Sequence, residues 1–247
     1  DGIRQVLQEE SDALRAYYEQ AGILIARPAG GTSCRLAISA KGGTNAENHN
    51  HNDVGSYAVA LGSETMVGDQ GGPNSYPGDY FNGDAPQKYK IKGSFGHPVP
   101  VVDGRTQSSG GKAKGVVLQK EFTNEKDVFS IDYTSAYSTP NLDKLIRTFV
   151  YDRQGKGSFT VGDEFTAKTP IRFETAITTR ADWKVLDDTH LLLATDSEQM
   201  IVAIDASGKV AFTSETIEVN SPAYTRIGIA LKNQSKEGYI RLKMYTK

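Results

Sequence analysis

Short runs of β-branched and aromatic residues recur along most of the chain, separated by Gly, Pro, Asn and Asp. Runs of this kind are typical of β-strands. The pattern predicts strands at residues 23–26, 35–39, 56–61, 115–122, 128–133, 145–151, 158–161, 171–178, 191–194, 200–204, 210–213, 226–231 and 239–245. Because no long helical pattern separates these runs, the sequence predicts an all-β fold, a large antiparallel two-sheet β-sandwich.

The N-terminal segment departs from this pattern. Its apolar side chains recur at helical spacing, at Ile3, Val6, Leu7, Leu14, Tyr17 and Tyr18. With Gly22 placed to end a helix, the pattern predicts a short helix over residues 3–19. Residues 1–20 are therefore expected to be a helical connector from an upstream domain. Residues 21–247 are expected to form the β-domain, with 183–247 as a possible C-terminal sub-sheet.

Composition excludes several classes of protein. The net charge is −2 and the pI is near 6.1, which argues against a nucleic-acid binder because neutralising phosphates needs a basic excess. No apolar run is long enough for a transmembrane helix. A single cysteine, Cys34, excludes an internal disulfide and a zinc site built from several thiolates.

Residues 48–55 hold two of the four histidines, His49 and His51. In an extended segment side chains alternate, so these histidines and Asp53 would share one face. Same-face residues lie roughly 6.6 Å apart along a strand, too far for both imidazoles to reach one metal ion unless the chain kinks. Imidazole is both a metal ligand and an acid–base group near neutral pH. The spacing favours a division of roles, one histidine for a metal and its neighbour for chemistry.

Two further residues are candidate metal ligands. Asp69 closes an apolar run in a glycine-rich stretch, and His97 lies between glycine-marked turns and a predicted strand. Two histidines and one carboxylate would suit zinc or a similar divalent ion. Spacing alone does not bring His51, Asp69 and His97 together, and an aspartate in such a stretch is also typical of a turn.

Residues 71–86 form a long predicted loop that is dense in turn residues but contains Tyr76, Tyr80 and Phe81. Long ordered loops are more often functional than connective, although these aromatic rings could also simply anchor the loop on a sheet. Downstream, Lys88, Lys90 and Lys92 alternate with apolar residues. In a strand the three ammonium groups would share one face, a pattern more typical of a solvated face than of a track for an anionic sugar.

Three segments, in this order, resemble the C-terminal β-domain of the heparinase II/III-like polysaccharide lyases. They are Asn48-His49-Asn50-His51-Asn52-Asp53, Val67-Gly68-Asp69-Gln70-Gly71 and Gly96-His97-Pro98-Val99-Pro100. The resemblance extends over residues 20–180, and beyond them only in strand texture. It implies a sandwich that follows an α/α-toroid, with the active site in the cleft between the two domains.

The resemblance also implies roles for individual residues. His49 is expected to be a catalytic histidine that faces the cleft, with Tyr80 as a catalytic loop tyrosine. Asn48 and Tyr76 are expected to contact substrate. The remaining positions are expected to ligate a divalent metal, usually zinc: His51, Asp69 and His97.

The activity implied by the resemblance is cleavage of uronic-acid-containing acidic polysaccharide, of the glycosaminoglycan or alginate type, by β-elimination. The implied partners are the polysaccharide or oligosaccharide substrate and an upstream α/α-toroid, in a bacterial periplasmic or secreted setting. Without its toroid this piece is expected to have little activity of its own. The alternative is a non-catalytic β-sandwich module that binds carbohydrate or metal.

Overall fold

The computed structural model describes residues 13–69, 72–219 and 221–247, which form an antiparallel β-sandwich. The strands of the first half are β1 (Arg15–Tyr18), β2 (Ile23–Ala26), β3 (Leu36–Lys41), β4 (Thr44–Asn45), β5 (Tyr57–Leu61), β6 (Glu64–Val67), β7 (Val101–Val102), β8 (Gly110–Lys114), β9 (Val116–Phe122) and β10 (Lys126–Asp132). Those of the second half are β11 (Leu142–Asp152), β12 (Ser158–Ile171), β13 (Phe173–Thr179), β14 (Asp182–Asp187), β15 (His190–Ala194), β16 (Gln199–Ala206), β17 (Val210–Val219), β18 (Ser221–Leu231) and β19 (Ser235–Thr246).

Helical structure is confined to short turns in the described residues. They are α1 (Ala85–Lys88) and two 3₁₀ turns, Ser94–Gly96 and Thr134–Ala136. None of the helices in this part of the chain has the length and apolar character needed to cross a membrane.

The sandwich has a large eight-stranded sheet opposed by two smaller sheets. The large sheet has the order β14-β15-β16-β19-β12-β11-β10-β9. The smaller sheets have the orders β1-β2-β3-β5-β6 and β17-β18-β13-β7, and β4 pairs with β8. Aromatic contacts join the layers: Tyr57 on β5 lies 6.0 Å from Phe159 on β12, and Phe165 on β12 lies 4.7 Å from Phe173 on β13. Apolar residues of all three sheets form one continuous core.

Each strand run predicted from the sequence falls on a strand of the structure. The expected all-β, antiparallel sandwich is therefore confirmed, although two smaller sheets, not one, oppose the large sheet. The residues 183–247 do not form a sub-sheet of their own. Instead β14, β15, β16 and β19 extend the large sheet through the pairing of β19 with β12, while β17 and β18 join β13.

The predicted N-terminal helix is wrong where the structure tests it. Residues 15–18 form β1, which pairs with β2 from Arg15↔Ala26 onward, and residues 3–12 lie outside the described residues. Tyr17 packs its ring 5.7 Å from Phe129, so pairing and packing in the sandwich override the local helical spacing. Gly22, with a φ of 61°, lies in the tight turn of this hairpin instead of ending a helix.

Candidate functional site

Three loops at one end of the sandwich bring the candidate residues together. The loop between β4 and β5 carries His49, His51 and Asp53. Asp69 follows the end of β6, and His97 follows the 3₁₀ turn that precedes β7. Since β5, β6, β7 and β13 lie in neighbouring positions of the two small sheets, residues far apart in sequence meet at their ends.

The imidazoles form a continuous hydrogen-bonded chain. The Tyr80 hydroxyl lies 3.2 Å from Nε2 of His51, and Nδ1 of His51 lies 3.2 Å from Nε2 of His97. Nδ1 of His97 in turn lies 3.0 Å from Oδ1 of Asp69. His51, His97 and Asp69 thus lie side by side, and their joint ligation of a metal ion stays a prediction.

The pKa values of the two histidines in this chain are shifted in opposite directions. Burial and the neighbouring His97 lower the pKa of His51 to about 4, so His51 is neutral at physiological pH. Burial also disfavours the charged form of His97, but the carboxylate of Asp69 outweighs it and raises the pKa of His97. When His97 carries both ring protons, it donates to Asp69 and to Nδ1 of His51. Nε2 of His51 then holds the proton that faces the Tyr80 oxygen.

A second carboxylate, that of Asp53, lies close to His97. The ligand atoms of Asp53, Asp69 and His97 all lie within 4.8 Å of one another. Asp53 is buried, and its Oδ1 accepts a 2.6 Å bond from Nζ of Lys41. Burial raises the pKa of Asp53 although the Lys41 ammonium opposes the shift. The sequence places Asp53 near the histidines, but it does not indicate that the Asp53 carboxylate is a candidate ligand. Nor does it indicate that Lys41 pairs with this carboxylate.

The donor set fits a divalent metal ion. Zn–N bonds of about 2.0–2.1 Å in a tetrahedral site place two nitrogen ligands about 3.3–3.4 Å apart, close to the 3.2 Å between the facing nitrogens of His51 and His97. His51 and Asp69 contact opposite nitrogens of the His97 ring. His97 is thus shared by two possible ligand sets, one with His51 and one with the carboxylates of Asp53 and Asp69.

His49 makes no contact within this hydrogen-bonded chain. It is exposed, has a φ of 58°, and its ring lies 4.7 Å from the ring of Phe81. The left-handed backbone at this position supplies the kink that an extended segment lacks, and the two rings make different contacts: His49 with Phe81, and His51 with His97 and Tyr80. This arrangement is compatible with the division of roles that the sequence suggested.

The aromatic residues of the 72–84 loop differ strongly in exposure. Tyr80 is only 1% exposed, whereas Tyr76 is 55% and Phe81 is 50% exposed. Their rings lie 5.0–5.4 Å apart, and burial raises the pKa of Tyr80 to about 12. The half-exposed ring of Phe81 packs against the His49 ring. The sequence around Phe81 does not distinguish this role from anchoring the loop on a sheet.

Two polar cavities flank the His49–Phe81 stack. The first, about 350 Å³, is lined by Tyr76 and Tyr80 together with the carboxylates and His51. The second, about 310 Å³, is lined by carboxamides, those of Asn45, Asn48, Asn50, Asn52 and Asn82. His49 lines both cavities, and the predicted substrate contact Asn48 is exposed beside it.

The three alternating lysines do not share a face, because residues 85–93 form α1 and turns instead of a strand. Lys88 pairs with Asp79 and Asp84, and Lys90 pairs with Glu215. Lys92 is buried, donates 2.5 Å to the Tyr80 carbonyl and lies 5.0 Å from the Phe81 ring centre. Lys88 and Lys92 thus support the aromatic loop, and the three lysines do not form a cationic track on one face.

Buried carboxamides that the sequence did not single out shape the histidine loop. Oδ1 of Asn45 accepts from the Asp53 amide at 3.0 Å, and Oε1 of Gln107 accepts from the Val54 amide at 3.1 Å. The two side chains also bond to each other at 3.0 Å. They satisfy the backbone of an irregular segment that has no strand partner, which keeps the loop in one conformation.

Comparison with known proteins gives a likeness of fold. No family model and no curated protein matches the sequence. The structure matches the crystal structure of heparinase III with a TM-score of 0.73 and 17% identity, over 94% of this chain and 36% of that one. It matches heparan sulfate lyase HepC from Pedobacter heparinus with a TM-score of 0.75 and 15% identity, over 96% and 37%. The resemblance inferred from the sequence is confirmed for the fold, and the chain spans little more than a third of these structures.

Proposed function

We propose that this chain is the β-sandwich part of a polysaccharide lyase that cleaves uronic-acid-containing acidic polysaccharide by β-elimination. The observation that carries the proposal is the placement of His49. It is an exposed imidazole, held against Phe81 between two polar cavities, close to the half-buried His51 and the buried His97. The likeness of fold to heparinase III and to heparan sulfate lyase HepC supports the same reaction class.

The reaction defines what the site must supply. A uronic acid carries its carboxylate on C5, and the C5 proton becomes acidic when that carboxylate is neutralised. A base removes the proton, the bond from C4 to the glycosidic oxygen breaks, and an acid protonates the leaving oxygen. Acid–base assistance contributes typically about 10²–10⁴-fold, so stabilisation of the enolate-like charge must supply much of the remainder.

We assign His49 to the C5 centre, where it takes the proton or donates a hydrogen bond to the carboxylate. His49→Gln distinguishes the two roles, because a carboxamide donates hydrogen bonds but is not a base. Asn48, exposed beside it, is assigned to the sugar hydroxyls or the carboxylate.

We assign Tyr80 to protonation of the leaving oxygen. Its pKa of about 12 keeps the phenol protonated, and its oxygen can accept from Nε2 of His51, which leaves its own proton free to donate. The phenol lines the cavity that His49 also lines. Tyr76, more than half exposed at the mouth of that cavity, is assigned to substrate contact.

We further propose that His51, Asp69 and His97 hold one divalent metal ion, with zinc the ion best suited to imidazole and carboxylate ligands. Since His51 and Asp69 contact opposite nitrogens of the His97 ring, binding of one ion by all three requires a side chain to rotate. When bound, the ion would brace the loop from which His49 projects. We assign the ion a positioning role, since ligands fixed by an ion orient the residues next to them in the chain.

The rest of the cleft is proposed to come from an upstream α/α-toroid, in a bacterial periplasmic or secreted protein. This accords with the chain spanning only 36% of heparinase III. It also means that activity is to be sought in the toroid-containing protein.

The experiment is an absorbance assay for the unsaturated uronate product, with the toroid-containing protein and a panel of heparan sulfate, heparin, chondroitin sulfate, hyaluronan and alginate. The proposal expects product from at least one of them, and none with His49→Ala. Binding to a polysaccharide without release of unsaturated product would instead identify a non-catalytic carbohydrate-binding module.

A further inference from the structure

A charged pair lies in the apolar core beneath the site. Arg147 on β11 and Asp163 on β12 are directly opposite each other in the register, and their side chains are 0% and 1% exposed. Arg147 follows the inward-facing alternation of Leu145 and Phe149, where an apolar residue would be expected. A buried ion pair is seldom favoured over apolar packing for stability alone. Its presence here calls for a role in geometry.

The pair is completely hydrogen-bonded. Asp163 accepts from Nε and Nη2 of Arg147 at 2.7 and 2.6 Å. It also accepts from the hydroxyls of Tyr133 at 2.6 Å and Thr175 at 2.7 Å. Nη2 of Arg147 donates in addition to Thr175 at 3.1 Å. The carboxylate thus fixes the plane of the guanidinium, and only Nη1 is directed elsewhere.

Nη1 joins the two histidine loops. It donates to the carbonyl of Gly55 at 2.7 Å and to the carbonyl of Pro98 at 2.8 Å. Gly55 ends the loop that carries His51, and Pro98 directly follows His97. One nitrogen therefore ties together the two backbone segments whose imidazoles meet at 3.2 Å. The guanidinium uses all five of its donors, and no apolar or monodentate side chain can reproduce this set.

We propose that Arg147 and Asp163 are a positioning pair that sets the separation between the His51 loop and the His97 loop. Neither residue touches the reacting groups; the pair acts through the Gly55 and Pro98 carbonyls on the imidazoles. Gly55 has a φ of 87°, and a Cβ added there would lie 3.3 Å from the Tyr133 ring and 3.6 Å from Cδ of Arg147, so a residue without a side chain suits this position. The part of this inference that concerns metal binding rests on the proposed function. The part that concerns the separation between the two loops does not.

The chain provides a matched control pair. Arg153 and Asp127 form another core ion pair, with side chains 3% and 0% exposed. The Arg153 guanidinium also bonds backbone carbonyls, those of Arg27 at 2.7 Å and Leu14 at 3.1 Å, both near the β1–β2 hairpin and not in the histidine loops. Replacing either pair removes the same chemical groups; the control also removes the carboxylate that pairs with the partly exposed Arg15 at 2.8 Å.

The test compares Arg147→Met/Asp163→Leu with Arg153→Met/Asp127→Leu, since apolar replacement of a whole buried pair is often tolerated. Cobalt(II) is titrated into each folded protein, and its absorption spectrum is recorded. Hydrogen exchange of peptides spanning residues 48–56 and 95–102 is measured without metal. We expect the first variant to bind cobalt about 10- to 100-fold more weakly, the range typical of groups that orient ligands from outside the coordination sphere. Exchange in both peptides should accelerate, while the control keeps wild-type values.

Arg147→Lys serves if the double variant does not fold, because it retains the charge and loses the bridging Nη1; the same changes are expected. Unchanged cobalt affinity and spectrum together with unchanged exchange, in a folded Arg147 variant, would overturn the inference. Equal loosening by the control variant would overturn it as well. If the wild-type protein binds no cobalt, the proposed metal site fails, and exchange in the two peptides alone decides on the positioning pair.

Discussion

If His51 ligates a metal ion and His49 acts on the substrate, the variants His49→Ala and His51→Ala should differ in stability and in metal binding. His51 makes two hydrogen bonds, to His97 and Tyr80, each worth about 0.5–1.5 kcal/mol. Its removal should therefore lower the free energy of unfolding of the metal-free protein by about 1–3 kcal/mol. His49 is exposed and has one ring contact, with Phe81, so His49→Ala should cost about 1 kcal/mol or less.

The effect of zinc should separate the two variants more clearly. A ligand at 100 times its Kd stabilises the native state by about 2.7 kcal/mol. For a domain of 150–250 residues that corresponds to a rise in Tm of about 5–11 °C. The wild-type protein and His49→Ala should both show this rise, and His51→Ala should show little of it.

The assay is thermal unfolding of the three proteins with excess zinc and with a chelator, together with elemental analysis of bound metal. About one ion per chain is expected in the wild type and in His49→Ala. If His49→Ala loses both the zinc-induced rise in Tm and the bound ion, or if His51→Ala keeps both, the assignment of roles is refuted.

Three further substitutions give distinct outcomes. Phe81→Leu removes the ring that contacts His49, and such a ring contact is worth about 0.5–1.5 kcal/mol. The kcat of the toroid-containing protein should therefore fall about 2- to 13-fold while its metal content stays the same. An unchanged kcat would exclude a supporting role for Phe81. His49→Gly should unfold at a higher temperature than His49→Ala, because a non-glycine residue at a φ of 58° costs about 1 kcal/mol or more; the reverse order would show that no strain is present. Bonds from the Thr189 amide and from His190 lower the pKa of Asp187 to about 2. This stabilisation is present above the ordinary carboxyl pKa near 4 and is lost as pH falls through about 2. Asp187→Ala should therefore lower Tm much less at pH 2 than at pH 7, and an equal loss at both pH values would contradict it.

The strands were predictable because alternation and turn residues report the sheet environment directly. The helical spacing near the N-terminus gave a wrong prediction for residues 15–18. Tyr17 and Tyr18 fit a helical pattern and a strand equally well, and only pairing with β2 decides between them. The alternation of Lys88, Lys90 and Lys92 fits a strand, but the structure has a helical turn and further turns there. Pro86 near the start of α1 and the partners Asp79 and Asp84 favour a helical turn there.

Predicting the site depended on the resemblance and not on spacing. Nothing in the local sequence forces His51 toward His97, because their contact comes from the order of β5, β6, β13 and β7 in two sheets. The buried pair Arg147 and Asp163 leaves a trace in the sequence, a charge in phase with the apolar face of each strand. Its partners at Gly55 and Pro98 are 92 and 49 residues away in the chain, so only the folded structure reveals them.

X-ray diffraction recorded at the zinc absorption edge, from crystals grown with zinc, tests most directly whether His51 and His97 hold an ion behind His49. The expected result is one anomalous peak within bonding distance of His51 Nδ1 and a nitrogen of His97, with Asp69 adjacent and the His49 ring free. A peak held by Asp53 and Asp69 with His51 outside its reach, or a peak at His49, would contradict it.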